Sequence, residues 1–127
     1  MNMGTDAFAA YKETNAATAI MDATPHQLTS LLLKAALDKL SVAMGAIERG
    51  DVTLRTEAIR KVAAIVAELQ GSLNKEEGGE LAERLEALYE FSTMQLIEAK
   101  LYQDISKLEA VRNVLQEISD GWQQIKD

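Results

Sequence analysis

The chain has 127 residues and a formal net charge of −7, a length that suits one domain burying roughly 60–70% of its unfolded surface. With no cysteine and a single histidine, it excludes disulfides, thiolate chemistry, sulfur-ligated metals and His-rich metal sites. The excess of acid argues against nucleic acid and anionic membrane surfaces, both of which need a basic footprint.

Hydrophobic residues make up 47% of the chain but aromatics only 5%, so the core is aliphatic. One proline and seven glycines among abundant Ala, Leu, Glu, Lys and Gln favour long helices over strands. Residues 1 to 23 read as an N-terminal arm or short extra helix. Asp6, Lys12 and Glu13 interrupt its apolar residues, so it lacks the pattern of a secretory signal, and no 18-residue apolar run spans a membrane. The expectation is a cytoplasmic protein with no membrane insertion and no nucleic-acid partner.

Residues 24 to 127 read as one domain of four helices. Thr24 can cap the first, Pro25 suits its first position, and Gln27 completes a capping box. That helix runs to about Arg49, where Gly50 and Asp51 end it. The second runs from near Thr53 to about Asn74. "NKEEGGEL" breaks the chain at Gly78 and Gly79, and the third helix covers about Glu80 to Tyr102. Asp104 or Ser106 caps the fourth, which continues to about Lys126. Short connections make neighbours antiparallel, so the spacing predicts an all-α, up-down four-helix bundle.

The four helices differ in how much apolar face they carry. In the fourth, Leu108, Val111, Leu115, Ile118, Trp122 and Ile125 form one stripe with alternating steps of three and four. The second builds a somewhat wider one on Ile59, Val62, Val66, Leu69 and Leu73. The first carries two: Leu28, Leu32, Ala35 and Ala43, and, about a third of a turn away, Leu33, Leu37, Leu40 and Met44. The third has a main stripe of Leu81, Leu85, Leu88, Tyr89, Leu96 and Ala99. On nearly the opposite side lie Met94, Ile97 and Leu101. If the bundle covers one stripe per helix, the first and third helices carry surplus, and surplus apolar surface tends to be covered by something. Imperfect bundle geometry, a wide core or a homodimer seam would account for it. So would a groove for another chain, closed by the protein's own arm when empty, which would give Tyr11, Ile20 and Met21 a purpose.

Catalytic options fail individually. His26 lies in the first turn beside Pro25, where a satisfied or solvent-facing cap residue is the favoured reading, and it is misplaced for a mid-helix phosphotransfer histidine. Di-iron bundles need Glu-x-x-His on two helices, and the chain has none. Gly78 and Gly79 lack the lysine and strand of a phosphate cradle. Trp122 falls within the fourth helix's stripe, where core packing is the simpler role. No enzyme activity, cofactor or metal is expected.

One segment carries a family pattern. "IVAELQGSLNKEEGGELAERLEALYEF", followed by Leu96, Ala99 and the late Trp122, resembles the flagellin-specific export chaperone family, FliS. A helix ends in Ser72, Leu73 and Asn74, resumes through Gly78 to Ala82, and reaches Leu88 and Tyr89. Thr24, Pro25 and Leu28 match the opening of that family's first bundle helix, and Tyr11 and Asn15 its arm. The resemblance implies a cytosolic chaperone that binds the disordered C-terminal segment of flagellin. It would prevent premature polymerisation and assist delivery to the flagellar type III export gate, with the arm occupying part of the client site when empty. On this reading Leu33, Leu37, Leu40, Met44, Met94, Ile97 and Leu101 bind the client, and Tyr11, Ile20 and Met21 cap the groove. The competing reading is a homodimeric structural or regulatory bundle with no export client. Whether the free protein dimerises is left open.

Overall fold

A computed structural model describes residues 22 to 125. They form α1 (Pro25–Arg49), α2 (Val52–Gly71), α3 (Lys75–Tyr102) and α4 (Ile105–Gln124). Each helix starts at a side chain that accepts an otherwise orphaned backbone N–H. Thr24 Oγ1 accepts the Gln27 N–H at 3.1 Å while Thr24 N–H donates to Gln27 Oε1 at 3.0 Å, a reciprocal capping box. Asp51 Oδ1 accepts the Leu54 N–H and Asn74 Oδ1 the Glu77 N–H, both at 3.1 Å. Asp104 Oδ1 accepts the Ser106 N–H at 2.9 Å and the Ser106 hydroxyl at 2.6 Å. These two bonds from Ser106, through side chain and backbone, hold the Asp104 carboxyl below its usual range.

The α1–α2 link is tight because Gly50 adopts φ 70° and closes the end of α1 on the Ala46 and Ile47 carbonyls. Here the expected boundaries hold. Elsewhere they shift. α2 stops at Gly71 rather than Asn74 because Asn74 is already serving as the cap of α3. The Gly78 and Gly79 break proves to be a kink inside α3 rather than its beginning. A turn of helix precedes it, and only Gly79 leaves helical geometry, at φ 52° and ψ −126°. A Cβ on Gly78 would lie 2.8 Å from the Ala82 Cβ, so this bend demands both glycines. Lys75 Nζ spans it to Glu86 Oε2 at 2.6 Å.

α1 packs against α2 and α4, and α3 against α2 and α4, so α1 and α3 face each other across the bundle. The buried faces follow the expected stripes in α2 and α4: Ile59, Val62, Val66 and Leu69, then Leu108, Val111, Leu115 and Ile118. Ile125, placed in the α4 stripe by its spacing, instead lies past the helix end and is exposed. In α3, Tyr89, Leu96 and Ala99 are buried, but Leu81 and Leu88 of the same expected stripe are exposed.

One core position is anomalous. Arg55 sits one turn before Ile59 on the inward face of α2, is 8% exposed, and its Nε and Nη1 have no hydrogen-bond partner among the described residues. Buried guanidinium N–H groups without an acceptor are destabilising, and an apolar side chain of similar length removes the penalty. Arg55→Met is expected to raise the unfolding free energy by about 1 kcal/mol or more, read from urea melts. An unchanged or lowered midpoint would mean that those nitrogens find an acceptor in solution.

Candidate functional site

The two apolar stripes of α1 meet different fates from those of α3. Leu33 and Leu40 are 0% exposed, Met44 is buried, and Leu37 packs partly buried against the same core. This corrects the expectation that the Leu33, Leu37, Leu40 and Met44 row lines a groove. The physical reason is that α1 has two neighbours. Stripes a third of a turn apart on one helix point towards two adjacent helices, so both are core.

On α3 the second stripe has no neighbour to face. Met94 is 56%, Ile97 48% and Leu101 66% exposed. Phe91, absent from the expected stripe, extends it one turn towards the helix start and is also exposed. The signal for Phe91 was available, since it lies three residues before Met94 on the same side of the helix. Of the eleven large hydrophobics that are exposed among the described residues, seven belong to α3, so the apolar surplus of this bundle is concentrated on one helix.

A second apolar feature lies at the end of the bundle where α1 and α3 begin and α2 and α4 finish. It is a cleft of about 550 Å³. Leu28 and Leu32 form one wall, Leu69 and Leu73 a second, Leu81 and Leu85 a third. Tyr89 and Trp122 also line it, and Glu68, Asn74 and Glu77 give it a polar edge. The kink in α3 builds one lip, because Asn74, Glu77 and Gly78 belong to the turn that the bend folds over the end. Leu81 faces this cleft instead of a neighbouring helix, and Leu88 lies at the edge of the sector that Tyr89 and Leu96 bury.

His26 and Trp122 lock this end together. Trp122 Nε1–H donates to the His26 carbonyl at 3.0 Å, and His26 Nε2 lies 3.0 Å from the Trp122 carbonyl. A carbonyl only accepts, so the imidazole proton sits on Nε2. The rings stack with centroids 4.9 Å apart and planes 13° from parallel. His26 is therefore a satisfied structural residue, as expected, but with a partner 96 residues away that local sequence does not reveal. Trp122 is half-buried and shared between packing and the cleft wall.

Tyr89 is 2% exposed, and burial pushes its phenol up to about 12. Among the described residues no group of three or more His, Cys, Asp or Glu could hold a metal ion, and no helix is long and apolar enough to cross a membrane. The arm residues Tyr11, Ile20 and Met21 lie outside the described residues.

With this geometry in place, comparison with known proteins is direct. Residues 7–127 match the family model "Flagellar protein FliS". The flagellar secretion chaperone FliSB of Pseudomonas aeruginosa is 37% identical over 112 residues, covering 88% of this chain and 89% of that protein. The flagellar secretion chaperone FliS of Salmonella typhimurium is 36% identical over 117 residues, covering 91% and 87%. A crystal structure of a bacterial flagellar chaperone superposes with a TM-score of 0.74 at 21% identity, covering 94% of this chain and 95% of that one, which establishes the shared fold. The chain belongs to the FliS family.

The raised Tyr89 phenol makes a pH prediction. The native state keeps this proton where the unfolded chain, with an ordinary phenol near 10, has lost it. Stability is therefore unaffected by this group below about pH 10 and falls as pH rises from there towards 12. Tyr89→Phe should flatten that alkaline slope in a series of chemical denaturation curves. An unaltered slope would show that Tyr89 titrates normally.

Proposed function

We propose that this protein is a non-enzymatic flagellar secretion chaperone whose client is the C-terminal segment of flagellin, held in an extended or helical form against the outer face of α3 and the cleft at the end of the bundle where α3 begins. The observation that carries the reading is the outer stripe of α3, where Phe91, Met94, Ile97 and Leu101 remain exposed on an otherwise well-packed bundle. Membership of a family whose relatives carry the name flagellar secretion chaperone supports the same reading.

The mechanism follows from the surface. A disordered segment that folds on a rigid partner loses roughly 2–5 kcal/mol of the interaction energy in ordering, so a long contact need not bind irreversibly. The stripe along α3 offers the helix-in-groove mode, in which anchors at i, i+3 and i+7 seat against a complementary apolar face. The cleft accepts further apolar anchors of the same segment, and its volume lies within the range of pockets that bind small apolar groups. A segment held this way is unavailable for polymerisation.

Ile97→Asp places a charge on the contact without touching the core, because Ile97 is already 48% exposed. Binding of a flagellin C-terminal segment, followed by calorimetry, is expected to weaken by roughly tenfold or more with unchanged helical circular dichroism. Wild-type affinity in that variant, or a tight dimer indifferent to the segment, would contradict the proposal.

A further inference from the structure

The outer face of α3 is acidic along its first half and apolar along its second, with Glu83 and Glu90 on the same line as Met94 and Leu101. At 100° per residue, Glu80, Glu83, Glu86, Glu90 and Glu98 all fall within roughly 70° of the centre of the Met94, Ile97 and Leu101 stripe. The basic residues of the helix body, Arg84 and Lys100, fall at its borders, roughly 90° or more away. Two of the five carboxylates are neutralised: Glu86 by Lys75 at 2.6 Å and Glu98 by Lys107 at 3.0 Å. Glu80, Glu83 and Glu90 have no cation at ion-pair distance among the described residues. Lys75 registers the field. Its ammonium is raised above the usual range by its hydrogen bond to Glu86, then by the charge of Glu86, with Glu90 and Glu83 adding to it.

This charge pattern discriminates between occupants of the face. A second copy would set the same acidic sector against itself, and like charges facing each other are repulsive. The arm is no better matched, since residues 1 to 21 hold Asp6 and Glu13 against Lys12 alone. An anionic membrane surface is repelled by the same sector. The chemistry that fits is an amphipathic helix whose apolar stripe is flanked, along the helix on the same face, by Lys or Arg.

Resting on the reading of α3 as the client-bearing face, we infer that the segment docked there is a helix with basic flanks, and that Glu83 and Glu90 select it by charge while Phe91, Met94 and Ile97 supply the apolar contact. The glutamates set partner choice and approach, whereas the apolar residues set residence time. Exposed pairs are each weak, so the two together give a preference of up to about tenfold, screened by salt.

The test uses the full chain and two synthetic helical peptides with one shared leucine stripe, flanked by Lys in one and Glu in the other. Fluorescence anisotropy is recorded at about 20 mM and about 500 mM salt. The Lys-flanked peptide is expected to bind up to about tenfold more tightly at low salt, with the preference shrinking at high salt. Glu83→Lys with Glu90→Lys should reverse the preference; the milder Glu83→Gln with Glu90→Gln should shrink it, and keeps the test valid if the reversed variant fails to fold. Phe91→Ala with Ile97→Ala should weaken both peptides alike. Equal affinity for the two peptides, or a preference that survives the glutamate substitutions, would overturn the inference. A flagellin C-terminal segment run in parallel separates the two levels. If it binds wild type and the Glu83→Lys, Glu90→Lys variant equally, the charge inference fails and the client reading stands. If it does not bind while the Lys-flanked peptide keeps its preference, the charge inference holds and the flagellin assignment is what fails.

Discussion

A helix in a four-membered ring can hide only the sector that faces its two neighbours, and this limit organises the whole molecule. Apolar stripes a third of a turn apart fit within that sector. Stripes on opposite sides do not. α1 satisfies the first condition, so Leu33 and Leu40 join Leu32 and Ala35 in the core. α3 meets the second, so burying Tyr89, Leu96 and Ala99 against α2 and α4 necessarily turns Met94, Ile97 and Leu101 outward. Such a face is unfavourable in isolation, at roughly 25 cal/mol per Å² of apolar surface left in water. Its cost is offset when another chain covers it.

The kink in α3 extends this division of labour. Gly78 allows close approach to Ala82, and Gly79 supplies a backbone conformation that side-chain-bearing residues adopt only with strain. The bend carries the first turn of α3 over the end of the bundle, where it forms the lip of the apolar cleft. The stacked and doubly hydrogen-bonded His26 and Trp122 fix the opposite side of that cleft. The cleft therefore lies at an end of the scaffold closed by specific bonds, and a rigid surface of this kind lowers the entropy that a docking segment would lose. Where the core itself departs from good packing chemistry, at Arg55, it does so at the far end of the bundle, where α2 begins.

Much of this was legible in the sequence because it is local. Thr24 with Gln27, Gly50, and Asp104 are cap signals that act within a few residues, and each marks a helix end as read. The single stripe of α4 was equally clear until Ile125, where fraying past Gln124 leaves the pattern without a helix to carry it. Periodicity gives the angle between two stripes but not where the neighbouring helices stand, so the α1 row reads as surplus in the sequence and is core in the fold. The main α3 stripe reaches back to Leu81 in spacing, but there it meets the open cleft instead of a neighbouring helix, which periodicity does not carry. The His26 and Trp122 pair and the orphaned Arg55 guanidinium are tertiary facts with no local signature. Of the expected site, the Met94, Ile97 and Leu101 stripe is the part that lies exposed; its role in binding is the proposal made above.

Five methionines occur in the chain, and two of them report on opposite sides of the account: Met94 is 56% exposed on the outer face of α3, whereas Met44 is 9% exposed in the core. Methyl NMR of the protein labelled at methionine, titrated with a flagellin C-terminal segment, reads both at once. The account predicts that the Met94 methyl shifts in step with occupancy while Met44 moves little. A bound segment that leaves Met94 unmoved would contradict it.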